Sequence, residues 1–297
     1  MVSATLLGVS LAVLAAAGLA VQSLAVRLGT ETRTVPEVIA AMFALNLLVL
    51  VPVTAVVAYP AYAISARALG AFVVAGLLGS LAARYCYFVG IARLGASRTE
   101  PLKALFPLFA VGTAILVLGE RATPTLLAGV VLLVLGGAAV TLEARANPNA
   151  PTGRALGVAL AFPLTAALLL GVDPVFTKIG LSTGVSSLLG VTVRVAAAAA
   201  GFGLYLAWRT VRTGRVGIRL PNRWVVVASV ANTGYLLAYY AALARAPVAV
   251  VTPVLSLSTL FVVVGALLFV QREERVTGRL LGAAAVVVAG VVLVVQG

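Results

Sequence analysis

The chain reads as an all-α polytopic membrane protein, with ten spanning helices arranged as two inverted five-helix repeats. Three observations predict this. Of the 297 residues, 62% are hydrophobic and only 10% are charged, whereas soluble chains run at about a quarter charged. The apolar residues fall into ten stretches of spanning length. The first half of the chain also returns in the second at a nearly fixed offset. A spanning helix takes about 20 residues, so ten use roughly 200 and leave roughly 100 for loops. No separate soluble domain fits in that remainder.

The stretches lie near 5–27, 37–58, 68–92, 97–119, 124–142, 155–177, 184–208, 223–244, 247–270 and 276–296. Each matches the thickness of a bilayer core. The first has no basic segment before it and no small-residue cleavage site after it, so it reads as a span and not as a removed signal. Turn residues separate the stretches: Tyr59-Pro60, Asn147-Pro148-Asn149-Ala150-Pro151 and Thr213-Gly214-Arg215. The expected organisation is one five-helix unit over 1–143, a linker loop over 144–154 and a second unit over 155–297.

A shift of 152 residues places Tyr87 on Tyr239, Ala92-Arg93 on Ala244-Arg245, Pro101 on Pro253, Leu105 on Leu257 and Phe109 on Phe261. One inserted residue then brings Glu120 onto Glu273. Leu and Ala match by chance in an apolar alphabet; Tyr, Arg, Pro and Glu in one register do not. Five spans is an odd number, so the second unit enters the bilayer upside down. Inverted repeats build many secondary transporters, with the site near the midplane between the halves.

The 21 Lys and Arg test the span count. Fifteen fall in loops after odd-numbered spans, four after even-numbered spans, and Arg84 and Arg194 lie inside spans. This alternation fits ten spans and predicts cytosolic odd loops, with both termini outside. The net charge of +13 is accounted for in the same way, and nucleic acid is not an expected partner. There is no histidine and only one cysteine, Cys86. Imidazole metal ligands, histidine proton relays and intrachain disulfides are therefore excluded. The eight acids form no metal-like cluster.

Polar groups inside the membrane are costly and are candidate functional residues. Arg84 and Tyr87 lie one turn apart in the third span, while Glu100, Lys103 and Pro107 form one stripe of the fourth. Pro101 and Pro107 remove backbone donors and are expected to loosen that helix. The matching stripe of the ninth span is Thr252, Ser256 and Thr259. The eighth span offers Asn232, Tyr235 and Tyr239, the sixth Asp173 and Lys178, and the first Gln22 and Ser23. The expected substrate site comprises Arg84, Tyr87, Glu100, Lys103, Asn232, Tyr235, Tyr239, Thr252 and Ser256. Glu100 and Asp173 are the candidate coupling groups. Simpler roles stand beside these: Glu100 as a helix cap, Lys103 snorkelling to the interface, Arg194 as a structural hydrogen-bond donor, and the tyrosines as packing. Cations outnumber anions in or near the spans, which an anionic or zwitterionic substrate would offset.

Pro107-Leu108-Phe109, Gly119-Glu120-Arg121-Ala122-Thr123, Leu127-Ala128-Gly129 and Gly136-Gly137 together resemble the EamA repeat of the drug/metabolite transporter superfamily. Gln271-Arg272-Glu273-Glu274-Arg275, Leu281-Gly282 and Ala289-Gly290 form a weaker second copy, with Leu260 where its proline is expected. Arg194 matches an arginine often seen in the second helix of such a repeat; Ala41 or Met42 stands there in the first half. The resemblance implies a ten-helix plasma-membrane carrier that exports or exchanges small metabolites, often amino acids, without ATP or a prosthetic group. It also implies termini in the cytosol, opposite to the charge count. The expected partners are a small-molecule substrate and the lipid bilayer, with a second copy of the chain as a candidate assembly. The alternatives are a lipid-linked sugar or lipid flippase on the same fold, an intramembrane enzyme, for which no nucleophile–base pair is visible, and a non-transporting scaffold.

Overall fold

The computed structural model describes residues 2–113, 123–146, 152–213, 219–243, 245, 254–270 and 276–296. Its helices are α1 (Val2–Gly29), α2 (Val35–Val57), α3 (Ala66–Leu94), α4 (Ala96–Lys103), α5 (Phe106–Thr113) and α6 (Pro124–Ala146). The second half holds α7 (Gly153–Leu181), α8 (Ser187–Thr213), α9 (Arg223–Leu243), α10 (Ser258–Phe269) and α11 (Gly278–Gln296). Six of them, α1, α2, α3, α6, α7 and α8, are each long and apolar enough to cross a membrane. Helices α4 and α5 together form the fourth span, so the architecture is that of an all-α polytopic membrane protein.

Short polar residues start these helices where the sequence turns from loop to apolar run. The side chains of Ser65, Thr123, Ser186, Asn222 and Thr277 each accept a backbone N–H from three residues on, at 2.9–3.2 Å. Each supplies an acceptor for an otherwise unpaired first-turn donor. At α2 the Glu37 carboxylate reaches back to the Thr34 N–H at 2.7 Å.

The fourth span breaks ahead of Pro107, as expected, while Pro101 sits inside α4 without interrupting it. Pro107 has no N–H to offer the preceding turn, and Ala104 and Leu105 form a tight turn between α4 and α5. Gly95 makes the corner before α4 with φ of 90°, a conformation that side chains with a Cβ resist. The corner folds α4 straight back from α3. One expectation changes here: Arg98, counted among loop cations, lies within α4 and is 1% exposed. Counted without it, the alternation of basic loops keeps its sign.

The two halves pack by the same rule. Helix α3 lies antiparallel to α7, with Phe72 on Gly180 at one end and Gly90 on Pro163 at the other. Shifted by the repeat offset, the same pairs appear between α9 and α1: Trp224 and Val225 on Gly29, and Ala242 against Ala12. Helices α6 and α11 close the side of the bundle with glycines at the crossing. Gly129 meets Gly290 and Val294, Gly136 meets Val287, and Gly290 meets Leu133. The missing side chains let the two backbones approach closely. Glu120, the loop over 147–151 and the Gln271–Arg275 stretch lie outside the described residues.

Candidate functional site

A cavity of about 300 Å³ lies between the halves. Its walls come from α1, α3, α4, α5, α7, α8, α9, α10 and α11, with the turn of helix over 254–256. Of the nine residues expected at a substrate site, Arg84, Tyr87, Glu100, Lys103, Asn232, Tyr235, Tyr239 and Ser256 line it. Thr252 lies outside the described residues. Asp173 lines the cavity too, together with five polar residues outside the expected set of nine: Gln22, Ser80, Arg194, Ser258 and Thr259.

The Glu100 carboxylate is 1% exposed and sits in a knot of side chains. Oε1 accepts from Lys103 Nζ at 2.7 Å and from the Ser258 hydroxyl at 3.3 Å. Oε2 accepts a short hydrogen bond from the Tyr87 hydroxyl, with Ser23 Oγ 3.4 Å away. Lys103 Nζ also lies 4.3 Å from the centre of the Tyr87 ring. Neither simpler role survives this geometry. Glu100 spends its oxygens on side chains of four helices and not on capping α4, and Lys103 points into the protein and not to the interface.

Across the cavity, Arg194 of α8 holds three partners. Its Nε donates to Ser80 Oγ at 2.8 Å, and its Nη1 lies 3.0 Å from Asp173 Oδ2 and 3.4 Å from Thr177 Oγ1. Ser80 belongs to an eight-residue π-helical segment of α3, Gly76–Ala83; such wide turns recur at functional sites. Gly79 beside it makes the ion pair fit. A Cβ there would come within 2.5 Å of both Asp173 Oδ1 and Arg194 Nη2. Asp173 Oδ1 meets no hydrogen-bond donor among the described residues.

Arg84 stands between these clusters. Its guanidinium is 5.3 Å from the centre of the Phe43 ring, and Nη1 lies 3.4 Å from Asn232 Oδ1. No carboxylate lies within ion-pair distance of it among the described residues. Asn232 joins a buried chain of amides. Its Nδ2 donates to Gln22 Oε1 at 2.6 Å, Asn46 Nδ2 donates to its Oδ1 at 2.9 Å, and Thr233 donates to Asn46 Oδ1 at 2.8 Å. The rings of Tyr235 and Tyr239 stack, with centroids 5.9 Å apart. Among the described residues no three His, Cys, Asp or Glu side chains gather as metal ligands would.

The sequence carried a signal for Arg194 and for Asp173, each a charge within a span, but none that the two pair. Asn46, the single amide of α2, went unread because one amide in an apolar run has no partner visible in the sequence.

Duplicated apolar helices around a charged cavity are the build of a membrane carrier. The chain belongs to the EamA-like transporter family, whose model matches twice, over residues 6–142 and 155–296. It is thus a member of a family of multi-pass membrane transporters of small molecules. A crystal structure of another protein is similar over 99% of this chain and 96% of its own, with a TM-score of 0.64 and 18% sequence identity. At that identity the likeness speaks for the fold. None of the curated proteins matches the chain in sequence.

Proposed function

We propose that the chain is a secondary carrier of the plasma membrane that exports or exchanges small zwitterionic or anionic metabolites, such as amino acids, through the cavity between its halves. The observation that carries this reading is the charge of the cavity wall. Lys103 pairs with Glu100 and Arg194 with Asp173, which leaves Arg84, among the described residues of the cavity wall, as a part-buried cation facing a polar space. A desolvated cation without a counter-charge is costly, and a substrate carboxylate offsets that cost. The planar fork of Arg84 suits a carboxylate held by two hydrogen bonds, and the stacked tyrosines give the substrate body an apolar wall with hydroxyls at its edge. A volume of about 300 Å³ is at the small end for ligand sites, in keeping with a metabolite and not a large drug.

Flux into proteoliposomes, measured with a panel of labelled amino acids, sugar phosphates and cationic drugs, tests the reading. Amino acids or other carboxylates are expected to move. Arg84→Lys should slow their flux about tenfold while leaving expression and helical content intact, because lysine keeps the charge and loses the paired geometry. Normal transport by Arg84→Ala would refute the assignment.

A further inference from the structure

We infer that Asp173, and not Glu100, is the carboxylate that couples transport to protons, and that one proton moves in the same direction as the bound anion. The inference rests on the carrier reading above. Both carboxylates line the cavity and both face a cation, but they are held differently. Glu100 has four side chains spread over both oxygens, supplied by α1, α3, α4 and α10. Neutralising it would strand Lys103 and leave buried hydroxyls without an acceptor. Among the described residues Asp173 has a single partner, Arg194, on Oδ2, while Oδ1 is buried without a donor. Neutralising Asp173 gives up one ion pair and no other contact.

The groups facing Asp173 set the sign of the coupling. Helix α8 presents Arg194, α3 presents Ser80 and Arg84, and α9 presents Tyr239. Glu100 and Lys103 of α4 face the same cavity, and Thr177 stands on α7 itself. While Asp173 is ionised, Arg194 is spent on it. A proton taken from cavity water turns the carboxylate into a carboxylic acid and releases the charge of Arg194, so that two guanidiniums attract a substrate carboxylate in place of one. Linkage makes the effect mutual: an anion beside Asp173 draws in a proton by the same factor. When the anion leaves, the proton returns to water and the ion pair re-forms. Substrate and proton therefore travel together, outward during export and inward when an external proton excess drives the cycle.

The chain holds one aspartate, so protein grown on carbon-13 carboxyl-labelled aspartate reports this side chain alone. Solid-state NMR in liposomes at neutral pH should find the label ionised in the wild type and shifted to the protonated position in Arg194→Gln. Saturating L-alanine or L-glutamate, as zwitterionic and anionic probes, should shift part of the wild-type signal the same way. In flux assays, Asp173→Asn should lose the stimulation by a pH gradient, whereas the flux that Glu100→Gln retains, lowered by the stranding of Lys103, should still rise with the gradient by the wild-type factor. An ionised label in Arg194→Gln would overturn the inference, as would pH-gradient stimulation surviving in Asp173→Asn. If Arg194→Gln does not fold, acid titration of the wild type decides, and a label that stays ionised at every pH the fold survives overturns the inference. Failure of the carrier reading would look different: no panel compound would move through the wild type, while the response of the label to Arg194→Gln would be unaffected.

Discussion

Two clusters in this molecule occupy one place in the repeated unit and are built from opposite chemistry. In one, Asn232 of α9 joins Gln22 of α1 and Asn46 of α2 through neutral amide hydrogen bonds. In the other, Ser80 of α3 joins Arg194 of α8, which holds Asp173 of α7. Ser80 and Asn232 are 152 residues apart, the repeat offset itself, and Asp173 and Arg194 fall within a turn of the positions equivalent to Gln22 and Asn46. Even the spacing residue differs: Gly79 beside the ion pair, Ala231 beside the amides. The first cluster links its three helices by amides alone, with no charge. The charges of the second are therefore surplus to packing, and a buried ion pair is retained at a desolvation cost that neutral groups avoid.

Breaking the charged cluster on one side has the largest expected effect. Arg194→Ala leaves Asp173 buried without its cation and should destabilise the protein by about 3–5 kcal/mol, read from denaturant or thermal unfolding in detergent. The double variant Arg194→Gln with Asp173→Asn turns the cluster into a copy of its neutral counterpart. It should regain most of that loss while flux falls. A double variant no more stable than Arg194→Ala would show that the halves are not interchangeable in this sense.

Breaking the neutral cluster should cost less. Asn232→Ala removes the link between Gln22 and Asn46 and leaves two amides to find new partners, a loss of about 1–3 kcal/mol in the same unfolding measurement. It also frees Arg84 from its one hydrogen bond. The smallest effect sharpens the comparison: Ala231→Gly makes the spacing residue of the neutral side match that of the charged side. It should cost about 1 kcal/mol from helix propensity alone and leave flux at the wild-type level. A large flux defect there would mean that the neutral cluster also works in transport.

The helices were legible because bilayer thickness imposes itself on the sequence: an apolar run of spanning length has few other readings. The break after Lys103 was legible for a local reason, since Pro107 cannot donate a hydrogen bond. The polar residues of the cavity could be gathered as a set, because a mid-span Arg, Glu or Asn is conspicuous against Leu, Val and Ala. Which of them pair was not legible. Whether Arg194 meets Asp173, 21 residues back, depends on the rotation of two helices about their axes and on the wide turn that brings Ser80 between them. The sequence fits Glu100 as a cap or a proton carrier equally well. Only the convergence of Tyr87, Lys103 and Ser258 on its oxygens separates the two roles. Asn46 shows the remaining limit, since its partners lie on another element in the other half of the chain.

The crossing of α6 and α11 has a consequence for how such a chain can arise. Its contacts run Gly129 to Val294, Leu133 to Gly290 and Gly136 to Val287, so each step forward on one helix is an equal step back on the other. The two helices are themselves repeat equivalents, and exchanging the halves, with the one-residue insertion included, keeps this antiparallel register, although the glycine contacts do not recur: Gly282, the counterpart of Gly129, has open space around it. The register is the one an isologous interface needs, in which residue i of one copy meets j of the other and j meets i, while the close glycine contacts occupy it on one side only. The last helices of the two halves therefore meet on a line that two identical units could share when one is inserted the other way up, and the glycines on that line have since diverged between the halves.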